Sequence, residues 1–371
     1  MKPRSRGPIF AVVLPHIDRS PRDLLAWFDA RPRDLPWRRS ADPYRVWVSE
    51  IMLQQTRVET VIPRYERWLE RFPTVEDLAA ADVDEVLAEW EGLGYYSRAR
   101  NLHAAARVVR DSLGGAIPAT ARELRDLPGV GEYTAGAVAS IAFDRPEPAI
   151  DTNARRVLSR LFDLETPGPA RLRALAAELI PEDRPGDFNQ ALMELGATVC
   201  TPRSPRCGEC PLADRCLALA RGTVAERPGR SARPPTPRFE LGVAVAQAPQ
   251  GRVLLVRRAE RGMLGGLWQF PARAAEAGET PLEAAAHALG ALAPGASPAR
   301  PLAVVAHAYS HRRHVYHAFL FRADTESVPD PATVAAAGWT AAAWEPPEAS
   351  GRGLPAAQRR IARALVAASP C

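Results

Sequence analysis

Four of the chain's five cysteines fall within 17 residues, as Cys200-x6-Cys207-x2-Cys210-x5-Cys216. Thiolates this close in sequence can enclose one metal centre. Structural zinc sites usually present two Cys-x2-Cys pairs, and only one such pair is present here. The six- and five-residue gaps suit a loop wrapped around a cubane, so the expected cofactor is one [4Fe-4S] cluster. Arg203, Arg206 and Arg215 stand among the cysteines, either as positive charge for a phosphate backbone or as an ordinary solvated face.

The second group is Leu127-Pro128-Gly129-Val130-Gly131, followed by Thr134-Ala135-Gly136. Two glycines let the backbone turn tightly and approach a ligand. The N–H groups that open the next helix form an anion site. This is the pattern of a helix-hairpin-helix, which holds DNA phosphates without reading sequence; the alternative is a plain turn between helices. The third group is a pair of carboxylates. Glu50 lies in the apolar run Trp47-Val48-Ser49-Glu50-Ile51-Met52-Leu53, where burial would raise its pKa. Asp151 follows Pro148-Ala149-Ile150 and opens a helix. Two carboxylates in unlike environments, one kept as an acid and one ionised, form the usual pair for cleaving a glycosidic bond. Taken singly, Glu50 could face solvent and Asp151 could be only a helix cap.

The elements that must position these residues are mostly helical from residue 20 to residue 221. Asp42-Pro43 reads as a helix start. Apolar residues then recur from Val46 to Ile62 near a 3.6 period. Further helices are expected over 74–90, 98–113, 120–127, 132–143, 153–162, 170–180 and 187–199. Residues 1–19 read as a tail. Residues 222–238, rich in proline and arginine, read as an extended linker between separate cores. Beyond it, 243–246 and 253–256 read as strands around a turn at 249–251, and 315–321 alternates. The fold class is therefore a mostly α catalytic part, 20–221, plus a C-terminal α+β domain, 239–371.

Composition removes several classes. The net charge is +5, and among 48 basic residues the single lysine is Lys2. No lysine in the body can form a Schiff base, and a Walker A motif, which ends in Gly-Lys, is impossible. No apolar run reaches the ~18–20 residues that span a bilayer. The stretch from Met1 to Val13 ends at Pro15-His16 without a cleavage site, so no signal peptide is expected. The expectation is a cytoplasmic protein, away from membranes and monomeric.

The segments DPYRVWVSEIMLQQTRVETVIP, GLGYYSRARNLH, LPGVGEYTAGAVAS, DTNARRVLSR and NQALMELGA, with the cysteine spacing, together resemble the MutY family of adenine DNA glycosylases. The resemblance runs from about residue 20 to the C-terminus. It implies hydrolytic removal of adenine opposite 8-oxoguanine or guanine in double-stranded DNA. In it Glu50 is the general acid and Asp151 stabilises the cationic sugar, with Tyr133 and Asn153 beside that sugar. Trp37, Arg38 and Glu194 form the adenine pocket. Gln55 and Tyr95 or Tyr96 enter the base stack, one of the two tyrosines being a core residue. Gly129, Val130 and Gly131 grip phosphate. The family usually has Asp-Gly-Asn where this chain has Asp151-Thr152-Asn153, which questions the backbone at Thr152.

Endonuclease III-type enzymes, glycosylases with lyase activity on oxidised pyrimidines, share the hairpin and the cluster. They carry lysine where this chain has Tyr133. An electron carrier would account for the cysteines and leave Glu50 and the hairpin unexplained.

The C-terminal part resembles a Nudix domain through Gly265-Gly266-Leu267-Trp268-Gln269-Phe270-Pro271 and Gly278-Glu279-Thr280. The metal-binding Arg-Glu-x-x-Glu-Glu is replaced by His287-Ala288-Leu289-Gly290-Ala291-Leu292, so pyrophosphatase activity is not expected. The resemblance makes this domain the reader of 8-oxoguanine through Tyr309-Ser310-His311. His307, His311, His314 and His317 are read as a polar hairpin and not as a zinc site.

Overall fold

The computed structural model describes residues 20–31, 33–229, 235–348 and 352–368. The N-terminal tail, the middle of the linker and Cys371 lie outside the described residues. Contacts divide the chain into two compact units. One holds the described residues up to Ala79 with those of Ala104–Ala232; the other holds Ala80–His103 with the described residues from Arg233 on.

The first unit is helical: α1 (Ser20–Ala30), α2 (Pro43–Leu53), α3 (Val58–Arg71) and α4 (Val75–Ala80), then α7 (Ala121–Leu124), α8 (Glu132–Phe143), α9 (Thr152–Leu161), α10 (Pro169–Leu179), α11 (Pro185–Thr198) and α12 (Leu217–Ala220). Between them, α5 (Val83–Glu89) lies in the second unit and α6 (Ser97–Leu113) runs from it into the first. The Asp42 carboxylate caps α2 by accepting from Arg45 N at 2.9 Å, with Pro43 at the first helical position. Eight of the eleven residues of α2 are buried, from Tyr44 to Met52. The predicted apolar run to Ile62 is broken: Gln55 adopts φ 56°, and α3 starts afresh at Val58. The expected helix over 74–90 is likewise two, with Asp82 capping the second.

One core joins Leu24 and Phe28 of α1 to Leu158 and Leu161 of α9 and to Phe188, Leu192 and Leu195 of α11. Each such side chain contributes roughly 1.5–3 kcal/mol on burial. Close helix packing needs glycine at Gly136, where a β-carbon would overlap the Pro148 carbonyl oxygen.

In the second unit a sheet runs in the order β3 (Trp268–Gln269), β2 (Val253–Arg257), β1 (Arg238–Gln247), β6 (Arg313–Arg322), β5 (Ser297–Ala308). Strand β4 (Ala272–Ala274) pairs with β1, and β7 (Ala341–Glu345) with β2. β1 and β6 are parallel, and β5 and β6 antiparallel. Alternate β1 residues serve opposite faces. Val243 and Val245 pack with Ile361 and Leu365 of α15 (Ala356–Ala368); Ala244 and Ala246 pack with Ala285 and Leu289 of α13 (Pro281–Leu289). A short α14 (Pro331–Ala336) adds Val334 to the second face.

Two boundary expectations need correcting. Residues 222–229 are not extended linker: Val224–Glu226 form a helical turn, and Gly229 N donates to Glu165 O at 2.7 Å. Ala80–His103, placed by sequence in the helical part, packs with the C-terminal sheet, where Asp84 pairs with Arg257 and Arg352 and Glu91 with Arg359. The second unit therefore takes in Ala80–His103 besides the residues that follow the linker. Among the described residues, no helix is long and apolar enough to cross a membrane.

Candidate active site

A cavity of about 810 Å³ opens in the first unit, lined by residues of α2, α8, α9 and α11 and by the turns that precede them. Glu50, Tyr133, Asp151, Asn153, Trp37, Arg38, Gln55, Gly129, Gly131 and Glu194, expected at scattered sequence positions, all line it.

Glu50 is 5% exposed, because the residues of α2 around it are themselves buried. Burial pushes its carboxyl up to about 7, the charge of Asp151 adds to this, and a hydrogen bond from Tyr133 opposes it. The Tyr133 hydroxyl donates to Glu50 Oε2 at 2.5 Å and lies 3.3 Å from Met193 Sδ. Asp151 is both a helix cap and a cavity group. Its Oδ1 accepts from Ala154 N at 2.6 Å and its Oδ2 from Asn153 Nδ2 at 2.8 Å. Burial raises its pKa as well, opposed by these two donors. The two carboxylates thus differ in kind: one sits in an apolar helix with a single hydroxyl, the other at a helix N-terminus that favours negative charge. Thr152 is the first residue of α9 and is absent from the left-handed conformations, so threonine there costs nothing in backbone strain.

The Tyr133 hydrogen bond carries a sign that can be tested. It favours the ionised form of Glu50, so removing it raises the Glu50 pKa. If Glu50 must be protonated to act, wild-type single-turnover rates should fall above about pH 7, and Tyr133→Phe should move that fall to higher pH. An unmoved or acid-shifted alkaline limb would separate Tyr133 from the proton on Glu50. In stability the raised carboxyl acts the same way: its contribution is present below the ordinary carboxylate range and is lost as pH rises through about 7.

Across the cavity, Glu194 of α11 is 3% exposed and held by two arginines. Arg33 reaches its two oxygens at 2.5 and 2.7 Å, and Arg38 Nη2 reaches Oε2 at 2.8 Å. Burial alone would raise Glu194; the hydrogen bonds from Arg33 and Arg38 outweigh it and hold the group below its ordinary value. Arg38 keeps a second, buried nitrogen, Nη1, with no hydrogen-bond partner among the described residues. Trp37 stands edge-on to Tyr65 at 5.7 Å between ring centres. Arg33 was not foreseen from sequence.

The hairpin runs from α7 to α8. Gly129 takes φ 75°. Gly131 caps α8, whose first N–H groups have no partner within the helix. The Val130 side chain is buried and its N–H is spent on Leu127 O at 3.2 Å, so Val130 shapes the turn and offers no donor. Gln55 is exposed in a left-handed conformation, and Gln54 beside it donates to Thr134 Oγ1 at 3.1 Å, tying this turn to α8.

The four cysteines carry no disulfide, and each of the other three acts electrostatically on Cys210. Yet among the described residues no three His, Cys, Asp or Glu groups converge to hold a single metal ion. The donor set, four thiols on one short loop, is the ligand chemistry of an iron–sulfur cluster. Arg160, 3% exposed, donates to Cys200 Sγ at 3.2 Å and to the carbonyls of Thr201, Val224 and Arg227. Arg156 donates to Cys200 O at 2.8 Å and to Asn153 Oδ1 at 2.8 Å. A chain of hydrogen bonds therefore runs from the cysteine loop through Arg156 and Asn153 to Asp151. Arg206 and Arg215 are paired with Glu209 and Asp23.

In the second unit, Tyr95 is 45% exposed with φ 47°, and its hydroxyl is hydrogen-bonded to Ser310 Oγ. Tyr96 is the core residue of the pair: 6% exposed, its hydroxyl donates to Leu354 O. The turn holding Tyr309, Ser310 and His311 closes β5 onto β6, with Tyr309 N donating to Arg312 O at 2.8 Å. The histidines are engaged elsewhere: His314 with Tyr316 Oη, His317 with Glu240, and His307 against the Tyr309 ring. Glu279, the surviving Nudix carboxylate, is bound by Arg273 and His287.

Hairpin, cavity carboxylates and cysteine loop define a helix-hairpin-helix DNA N-glycosylase carrying a Nudix-like domain. Residues 48–182 match the HhH-GPD superfamily of base excision DNA repair proteins, 200–216 the iron-sulfur binding domain of endonuclease III, and 242–364 the NUDIX domain. The adenine DNA glycosylase of Rattus norvegicus is 38% identical over 384 residues, 87% of this chain and 74% of the rat protein. That of Mus musculus is 42% identical over 313 residues, 69% of this chain and 61% of its own length. A solved thermostable thymine-DNA glycosylase superposes with a TM-score of 0.53 at 31% identity, over 56% of this chain and 98% of its own. The chain belongs to the adenine DNA glycosylase family, whose cofactor is a [4Fe-4S] cluster.

Proposed function

We propose that this chain, acting as a monomer, hydrolyses the N-glycosidic bond of adenine that stands opposite 8-oxoguanine or guanine in double-stranded DNA. One observation carries the reading: a carboxyl poised near neutrality, Glu50, shares a cavity with a hydrogen-bonded carboxylate, Asp151. A base inside a duplex is out of reach, so the adenine must be extruded into the cavity. There Trp37 and Arg38, braced by Glu194, hold it, and the spare Arg38 nitrogen meets a base acceptor. Glu50 gives its proton to the leaving adenine. Asp151, oriented by Asn153, faces the positive charge that grows on the sugar. Tyr133 holds the Glu50 carboxyl in place.

The hairpin, through Gly129 to Gly131, takes the backbone phosphates. Gln55 and Tyr95 fill the space left in the stack. Cys200, Cys207, Cys210 and Cys216 ligate the cluster, which when bound supplies a fixed charged centre that organises the loop. No described residue is a lysine, so strand cleavage through a lysine amine is not part of the proposed reaction. Tyr309-Ser310-His311 read the opposite base.

The test is base release under single-turnover conditions from duplexes with adenine opposite 8-oxoguanine, guanine, cytosine and thymine, at one salt concentration. Adenine should leave the first two. Ser310→Ala with His311→Ala should lower the preference for 8-oxoguanine over guanine by about 5- to 150-fold, the worth of one good base contact. Equal release from all four duplexes, or an unchanged preference in the double variant, would refute this assignment of opposite-base recognition.

A further inference from the structure

The turn that presents Tyr95 is unusual backbone. Gly92, Gly94 and Tyr95 have φ of 90°, 70° and 47°. A tyrosine pays for the left-handed conformation, and such strain persists only where the surroundings impose it. Besides the Ser310 hydroxyl bonded to Tyr95, the side chains that meet this turn are Arg98 and Trp90. Arg98, half-buried on the first turn of α6, donates from Nη2 to Leu93 O at 2.8 Å and to Gly94 O at 3.0 Å. Its guanidinium lies over the Trp90 ring at 5.3 Å and over the Tyr95 ring at 5.6 Å. Trp90 Nε1 donates to the same Gly94 O at 3.0 Å. One guanidinium nitrogen thus ties two carbonyls of the turn while the cation lies over the exposed aromatic and the buried one.

We infer that Arg98 is a positioning residue that holds Tyr95 outward, in its strained conformation, for insertion between base pairs. The inference rests on the reading of Tyr95 as the inserting aromatic. Without the brace the turn relaxes, and Tyr95 must be ordered again at each encounter with DNA. Arg98 then acts on DNA through Tyr95 and not through phosphate.

The experiment is a double-mutant cycle on the full, iron-loaded chain. Affinity for an A:8-oxoguanine duplex is measured for wild type, Tyr95→Ala, Arg98→Met and the double variant, across a salt series. Tyr95→Ala should weaken binding about 5- to 150-fold, the range for loss of a stacking aromatic. Arg98→Met should lose a similar factor with an unchanged salt slope, and the double variant should lose no more than about 2-fold beyond Tyr95→Ala. A spectroscopic arm uses 2-aminopurine beside the opposite base: saturating wild type should brighten it, and saturating Arg98→Met should not.

Additive losses, or a salt slope lower by about one phosphate contact, would overturn the brace while leaving Tyr95 as the wedge. Wild-type affinity in Tyr95→Ala would remove the wedge reading and the brace with it. Should Arg98→Met fail to fold, Arg98→Lys, which keeps the cation and loses the planar guanidinium over the two rings, runs the same cycle.

Discussion

Glu50→Gln should bind mismatched DNA with wild-type affinity and release adenine about 10²–10⁴-fold more slowly, the usual worth of general acid catalysis. The amide keeps the shape of the group and can still accept from Tyr133, whose hydroxyl stands 2.5 Å from Oε2. It cannot give a proton. The side chain lies within the apolar helix α2 and is 5% exposed, so water does not substitute freely for it. Glutamine is neutral, as the protonated glutamic acid is, and stability should change little near pH 7. A large loss of stability would mean that the substitution reports on packing. Near wild-type single-turnover release would mean that the leaving base takes its proton elsewhere.

Cys200→Ser should lower the iron content, the thermal midpoint and the rate of base release together. The reason lies in Arg160. This guanidinium is 3% exposed, and its contacts are carbonyl oxygens and the Cys200 sulfur. A buried cation with its counter-charge removed costs about 3–5 kcal/mol. The segment around Val224 and Arg227, which Arg160 also holds, should loosen with it. Arg156 links the same loop to Asn153 and so to Asp151, which is why catalysis should fall as well as stability. Wild-type stability with iron absent would show that Arg160 needs no charge from the cysteine loop.

Glu50 and the hairpin stood out in the sequence because each broke a local rule, while a role for either carboxylate came only with the resemblance. A glutamate inside an apolar helical run has no reason to be there as packing, and two glycines flanking Val130 have none in a helix. Asp151 was ambiguous as a cap or a site group; in the structure it caps α9 and also lines the cavity. The turn at Gln54–Arg57 was not legible, since apolar residues continue in period through it and only the backbone at Gln55 breaks. Arg33, Arg156 and Arg160 were hidden by composition: in a chain whose basic residues are almost all arginine, residue type carries little signal. Arg33 meets Glu194 across 161 positions of sequence, which no local pattern encodes. The placement of Ala80–His103 depends on ion pairs such as Glu91 with Arg359, 268 residues apart, and is equally invisible.

The account stands most directly on the identity of what is released. The wild-type chain is incubated in excess with a duplex bearing one adenine opposite 8-oxoguanine. The small-molecule fraction is then analysed by mass spectrometry, and the strands are separated before any alkali treatment. The account predicts one equivalent of free adenine and an intact strand that breaks only on alkali. Release of an oxidised pyrimidine from a control duplex, strand breakage without alkali, or no free adenine would contradict it.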